Sequence, residues 1–262
     1  RWRKGEISLL FEPLEDSVKV PCLRINRNDG KAARLSFVIE DALHRVENIS
    51  EYIPYSESSD LLEMELDGFD VTMTTGLNFN VADRKNGDIL KSYKPEDLRF
   101  IELLTDKRGT VHKIRYNFLM ASDEKFFGMG QRYSHLQYRG QEIINYVYNQ
   151  YRDQGLRTYM PVPFTLSSMN YGIYADTDMF SAFSFGTKLD DLLAIEISLN
   201  RKKQLTELFI FVGEPKDVIQ KFAKIAGMPI LPPKWTFGLW ISSNNWDSQA
   251  EVCRQLMLSK KY

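Results

Sequence analysis

Apolar and polar positions alternate with a period of two along most of the first 212 residues. Leu62, Met64 and Leu66 alternate with acidic residues, Asp67-Gly68 follows, and Phe69, Val71 and Met73 resume the alternation. Successive strand side chains face opposite ways, so such a run buries one face. Asp-Gly between two such runs predicts a tight hairpin. Further turn signals stand at Asp29-Gly30, Asn86-Gly87 and Arg108-Gly109. His112, Ile114, Tyr116 and Phe118 form another period-two face. Ile195, Ile197 and Leu199 lead into a turn at Asn200–Lys203, with Leu205, Phe209 and Phe211 on the return. Many short strands punctuated by turns predict a mainly β chain built as an antiparallel β-sandwich, in which each sheet hides one face.

Two stretches break this pattern. Asn48–Ser59 is polar and irregular and reads as a loop. Residues 134–163 carry Tyr138, Arg139, Tyr146, Tyr148, Tyr151, Arg152, Arg157 and Tyr159 with weak periodicity. An irregular stretch of that length is either a functional loop or a misread element.

Beyond residue 213 the period changes. Val218, Ile219, Phe222, Ile225 and Ala226 share one helical face, with Pro215 and Asp217 suited to the first turn and Gly227 and Pro229 to the end. A linking helix is expected over 215–227. Pro232-Pro233 is a stiff link, Phe237–Ile241 reads as a buried strand, and Ser248 with Glu251 suggests a capping box. Val252 and Leu256 then share a helix face. A strand, a loop and a helix form one β/α unit, which cannot bury its own apolar faces, so the chain is expected to be cut. The boundaries expected are 1–228 for the sandwich with its helix, and 229–262 for the proline link and the start of an incomplete barrel.

Composition narrows the partners. The 262 residues carry a formal net charge of −1 and no sustained basic stripe, so nucleic acid is not expected. Arg201-Lys202-Lys203 reads as a solvated turn. Cys22 and Cys253 are far apart and no Cys/His spacing suggests a metal. No apolar run approaches a membrane span and the first residues lack a secretory core, so a cytoplasmic location without membrane contact is expected. No dinucleotide or phosphate-loop fingerprint appears, and no cofactor is expected. The 16 Phe, 13 Tyr and 4 Trp suit a β-rich core and also sugar-stacking surfaces.

Several segments carry a family likeness. Phe127-Gly128-Met129-Gly130-Gln131-Arg132, the following Arg139-Gly140, and Pro163-Phe164-Thr165-Leu166-Ser167-Ser168 with Tyr171-Gly172-Ile173-Tyr174 resemble, in order, segments of glycoside hydrolase family 31. Gly213-Glu214-Pro215, Gly227-Met228-Pro229 and Pro232-Pro233-Lys234-Trp235 with Gly238 resemble that family's entry into its catalytic barrel. The resemblance implies a galactose-mutarotase-like sandwich, a linking helix and the first β/α unit of a truncated (β/α)8 barrel. A whole barrel takes about 250 residues, and about 30 follow Pro233.

The resemblance also implies a retaining α-glycosidase acting on terminal α-linked sugars, with the remainder of the barrel as a partner. Retention needs two carboxyl groups about 5–5.5 Å apart. In the family both come from later barrel strands, so no catalytic residue is expected here and the chain alone is expected to be inactive. In the loop after the first barrel strand, Trp246 either meets sugar or packs against the sandwich. Asn244 and Asn245 either bind hydroxyls or form the turn. Asp176 and Asp178, in Asp176-Thr177-Asp178, either hold sugar hydroxyls or lie in a solvated turn. The tyrosine-rich stretch 146–159 is a further candidate wall of the pocket. Two other readings stay open: a non-catalytic carbohydrate-binding sandwich, and a purely structural domain.

Overall fold

The computed structural model describes residues 2–3, 6–10, 19–28, 31–41, 61–74, 78–93, 98–108, 110–149, 152–200, 205–240 and 246–261. The expected turn at Asp29-Gly30, the loop Asn48–Ser59, Gly109, the basic cluster Arg201–Lys203, Ile241, and both Asn244 and Asn245 lie outside the described residues. The chain divides into two compact units, Arg1–Ala226 and Gly227–Tyr262.

The first unit begins with strands β1 (Trp2–Arg3), β2 (Glu6–Leu10), β3 (Lys19–Asn28) and β4 (Ala32–Asp41). A meander follows: β5 (Leu61–Glu65), β6 (Phe69–Thr74), β7 (Phe79–Asp83) and β8 (Gly87–Ser92). Next come β9 (Ile101–Thr105), β10 (Val111–Leu119), β11 (Phe126–Gly128) and β12 (Glu142–Asn145). The last are β13 (Phe164–Ser167), β14 (Tyr171–Asp176), β15 (Ser181–Phe185), β16 (Leu192–Ser198) and β17 (Leu205–Val212). They form two antiparallel sheets. One runs β1-β2-β3-β4-β17-β14-β13-β11. The other runs β12-β15-β16-β10-β8-β7-β6-β5, with β9 also pairing β10.

The core lies between the sheets. Leu35, Phe37, Ile173 and Ile210 from the first share one buried cluster with Val71, Val81, Phe118, Phe183 and Ile195 from the second. Phe79 and Phe100 stack at 4.8 Å between ring centres, with Phe118 edge-on to both. The alternation at β6 is what makes this possible, since Phe69, Val71 and Met73 are buried while Asp70, Thr72 and Thr74 are not.

Hairpin chemistry fixes the registers. Gly68, in the two-residue loop before β6, and Gly87, after the three-residue turn before β8, hold φ of 87° and 82°, a region a side chain resists. The Asp83 carboxylate accepts the Lys85 and Asn86 amides at 2.8 and 2.9 Å, which sets the β7–β8 turn.

Three expectations change at this level. His112 is exposed, because the β9–β10 register shifts between Val111 and Lys113 and Val111 takes the core place instead. On β17 both faces are buried. Leu208, Ile210 and Val212 face the other sheet, while Phe209 and Phe211 face the back with Ala32 and Phe164. Helix α1 (Pro215–Ala226) covers that back face with Val218, Phe222 and Ile225, whereas Ile219 of the expected apolar face stays half-exposed. The Phe222 ring stacks on Phe164 at 4.2 Å. Gly172 permits the approach, since a Cβ there would lie 2.6 Å from Val218 Cγ1.

The second unit holds no strand among its described residues. The expected buried strand from Phe237 is instead the end of a 3-10 turn, Lys234–Phe237, and Leu239 and Trp240 are 91% and 70% exposed. The apolar run met the hydrophobic criterion for a strand, but a strand also needs a ladder partner. The turn closes on itself: Gly238 N donates to Trp235 O at 3.1 Å and Trp240 Nε1 to Thr236 O at 2.7 Å. Helix α2 (Gln249–Lys261) begins where Ser248 Oγ accepts the Glu251 amide at 3.3 Å. The Glu251 carboxylate turns forward to Arg254 and Gln255, at 2.7 Å each, which holds it down at about 2. Among the described residues no helix is long and apolar enough to cross a membrane.

Candidate functional site

In the tyrosine-rich stretch the described residues form β12 and the loop segments that flank it. Gly128, Met129 and Gly130 have φ of 106°, 65° and 85°, three consecutive left-handed residues. A Cβ on Gly128 would come 2.6 Å from Phe164 O, and one on Gly130 would come 2.2 Å from Met160 O. Two bare glycines therefore let this backbone press against residues 160–164. Met129 N donates to Phe164 O at 2.8 Å and Gln131 N to Met160 O at 3.0 Å.

Arg132 ties the rest of the loop together. Its Nε donates to Met129 O at 2.8 Å, and one terminal nitrogen donates to Ile144 O at 3.0 Å and Asn145 Oδ1 at 3.1 Å. The other terminal nitrogen donates to Leu156 O. One planar fork thus satisfies carbonyls from three chain segments, a geometry open to Arg and closed to Lys. Burial lowers the Arg132 pKa. Arg139 acts similarly nearby, donating to the carbonyls of Ala121, Glu124 and Asp190. Beside it the Glu124 carboxyl is buried, accepting from Ser167 Oγ and from the Ala121 amide at 2.9 Å. Burial pushes that carboxyl up.

What this scaffold displays is aromatic. Tyr133, Tyr146 and Tyr159 are exposed, as are Leu136, Val147 and Met160. The Tyr133 and Tyr159 hydroxyls lie 3.2 Å apart, and Gln131 Nε2 donates to Tyr133 at 3.0 Å. The Arg157 guanidinium lies 5.4 Å over Tyr148, Tyr148 meets Tyr146 edge-on at 5.3 Å, and Tyr146 approaches Phe180 at 6.4 Å. Phe180 stands in the β14–β15 turn, two residues after Asp178. Such rings offer flat apolar faces and polar rims to a ligand that has both characters.

The expected site residues are distributed as follows. Asp176 ends β14, Asp178 lies in the turn that follows, and both are exposed; Asp176 accepts the Tyr174 hydroxyl at 3.0 Å. Burial, with the neighbouring Asp176 charge, pushes that tyrosine up to about 12. The stretch 146–159 reaches the same turn through Tyr146. Trp246 is half-buried, belongs to the second unit, and precedes α2. Sequence reasoning did not find the Arg132 clamp or the buried Glu124. The Gly-Met-Gly run was the available signal for the first, since glycines one apart point to close backbone approach. No local pattern marks the second, whose hydroxyl partner lies 43 positions away.

Comparison with known proteins adds the following. Residues 18–181 match the model of the glycosyl hydrolase 31 N-terminal galactose mutarotase-like domain. An isomaltosyltransferase from Sporosarcina globispora is 36% identical over 166 residues, which is 63% of this chain and 15% of that protein. A 1,3-alpha-isomaltosidase from Kribbella flavida is 30% identical over 167 residues, 62% of this chain and 22% of that protein. Among solved structures, a cycloalternan-forming enzyme from Listeria monocytogenes in complex with a pentasaccharide substrate superposes with a TM-score of 0.71 at 24% identity. It covers 100% of this chain and 25% of its own. A Flavobacterium johnsoniae dextranase complexed with glucose gives 0.66 at 20% identity, over 91% of this chain and 30% of its own. These structural likenesses speak for the fold. The chain spans under a third of the length of each of these relatives. The matched residues take in the glycine turn, the Arg132 clamp and the Asp176–Asp178 turn, and stop short of the 213–238 segment.

Proposed function

The chain belongs to glycoside hydrolase family 31, and from that membership we propose that it forms the N-terminal portion of a retaining α-glycosidase acting on terminal α-linked sugars. The match over residues 18–181 carries this reading. The catalytic carboxyl groups belong to the remainder of a (β/α)8 barrel, of which residues 229–262 are the proline link and the start. Its exposed Ile230, Leu231, Leu239 and Trp240 support that assignment, because so many uncovered apolar groups in a short unit call for a cover.

Within such an enzyme the first unit shapes one wall of the sugar pocket. The rings of Tyr148, Tyr146 and Phe180, with Arg157 over the first, offer faces to the C–H surfaces of a pyranose. Asp176 and Asp178, exposed beside Phe180, accept bonds from its hydroxyls. In the second unit, Trp246, Asn244 and Asn245 are candidate sugar contacts of their own, on the strength of the family likeness of the barrel-entry segment. These groups orient sugar and keep water off it; none of them transfers a proton or attacks the anomeric carbon.

An assay of the purified 262-residue chain with an aryl α-glycoside tests the division of labour. The expected result is no turnover above buffer, and robust turnover overturns it. In the longer polypeptide that this reading requires, Trp246→Ala and Asp178→Ala are each expected to lower kcat/KM about tenfold, equivalent to ~1.4 kcal/mol of lost binding. Unchanged kinetics in both would assign the sandwich a purely structural role.

A further inference from the structure

The outer face of the second sheet carries a recess of about 610 Å³, remote in sequence from the tyrosine-rich loop and lined by the outward residues of β6, β7 and β8 with Leu119 and Asp191. Its volume falls in the range of about 300–1,000 Å³ typical of small-molecule sites. Its shape originates in one irregularity. Val81 pairs with Leu90 but Ala82 pairs with Asp88, so Ile89 is an extra residue in β8. Ile89 and Leu90 both pack against the core. In a regular strand Asp88 and Lys91, three apart, would face opposite sides. The bulge turns Asp88 outward, onto the face that holds Asn80 and Lys91.

The consequence is a prearranged polar set. Lys91 Nζ lies 2.7 Å from Asp88, and Asn80 Nδ2 donates to the same carboxylate at 2.8 Å. The bonds from Lys91 and then Asn80 hold Asp88 below the ordinary carboxylate range. Both Asp88 and Lys91 remain about half exposed and can reach a ligand. At the other end the Tyr93 hydroxyl donates to Asp191 at 2.8 Å, which leaves the second oxygen of that carboxylate for another donor. The Asn80 amide oxygen accepts no hydrogen bond from the protein. Leu119 supplies an exposed apolar floor beside them.

An anion would meet Asp88 and Asp191. Lys91 is already paired with Asp88, so the recess offers a mixed set of donors and acceptors. A polyhydroxylated neutral molecule finds acceptors in the carboxylates and donors in Lys91 and the Thr72 hydroxyl, and each of its own hydroxyls serves both roles. We propose that this recess is a second carbohydrate-binding site, separate from the aromatic surface, that holds a glucosyl unit of an α-glucan. The polarity of the recess carries the choice of a neutral sugar; the choice of glucosyl rests on the glycosidase reading.

The test is a titration of the 262-residue chain with isomaltotriose, followed by saturation-transfer difference NMR. Millimolar binding is expected, weakened at least tenfold by the double variant Asn80→Ala, Lys91→Ala. Thr72→Trp, which intrudes on the recess, serves as an independent variant should the pair disturb folding, and it is expected to weaken binding to the same degree. Absence of sugar binding overturns the proposal, as does binding that neither variant weakens. Binding that is lost in Tyr146→Ala but kept in the recess variants belongs to the aromatic surface, and it removes the recess while leaving the glycosidase reading intact. Recess binding in a chain whose longer form hydrolyses no α-glycoside does the reverse.

Discussion

Replacing Arg132 with Lys keeps the charge and most of the stem but removes the fork. The four acceptors on Arg132 are Met129 O, Ile144 O, Asn145 Oδ1 and Leu156 O. A single ammonium can serve about two of them from one point. Each acceptor left without a donor costs ~1–3 kcal/mol when buried. The loop is partly open and water relieves some of this, so the lower part of that range applies. Two orphaned acceptors then cost ~2–3 kcal/mol, and the stronger hydration of an ammonium adds to the penalty of burying it. Because a domain of ordinary stability holds ~5–15 kcal/mol, the sandwich stays folded and the loss appears as local opening. The assay is amide hydrogen exchange at Met129, Gln131 and Tyr148, which donate to Phe164 O, Met160 O and Thr158 O. Protection should fall by about thirty- to a hundredfold, since ~1.4 kcal/mol corresponds to a factor of ten. The amides of β6 and β16 should change little. Protection retained within threefold at all three loop amides would refute the idea that the Arg132 fork organises this surface.

Gly172→Ala places a methyl 2.6 Å from Val218 Cγ1 and 3.0 Å from Phe164 Cε2, so ~1–3 kcal/mol of overpacking is expected in urea unfolding. Combining it with Val218→Ala should cost less than the sum of the two single changes; strict additivity would show that the helix does not press on this glycine. Glu124 has a folded pKa raised by burial above its unfolded value. The folded state therefore binds the proton more tightly, and stability falls as pH rises from the ordinary glutamate value through the raised one. Glu124→Gln should flatten that decline in denaturation curves taken between pH 4 and 7, and a parallel pH profile for both proteins would contradict it.

Alternation made the hairpins and much of the inter-sheet core legible, because one buried face leaves a period-two record in β6 and in the second half of β16. It failed where both faces are buried. On β17 the same pattern fits either side, and only the arrival of α1 decides that Phe209 and Phe211 look away from the other sheet. It failed again at His112, where one extra residue moves the core position to Val111. The run from Phe237 shows a third limit: apolar content without a pairing partner yields a 3-10 turn. For the site, the motif residues 127–132 were visible, yet their job was not. Three left-handed residues and an Arg fork depend on carbonyls up to 35 positions away, at Leu156, Met160 and Phe164, which no local window contains. The recess left no trace at all, since its bulge looks like ordinary strand sequence.

The extra residue at Ile89 bears on how family members are to be lined up. In a relative lacking the insertion, the same outward carboxylate and ammonium would stand two positions apart, whereas here Asp88 and Lys91 stand three apart. An ungapped alignment anchored on the lysine would then set the relative's carboxylate against Ile89 and score the pair as lost. Spacing within this hairpin, more than residue identity column by column, is what a census of homologues ought to track.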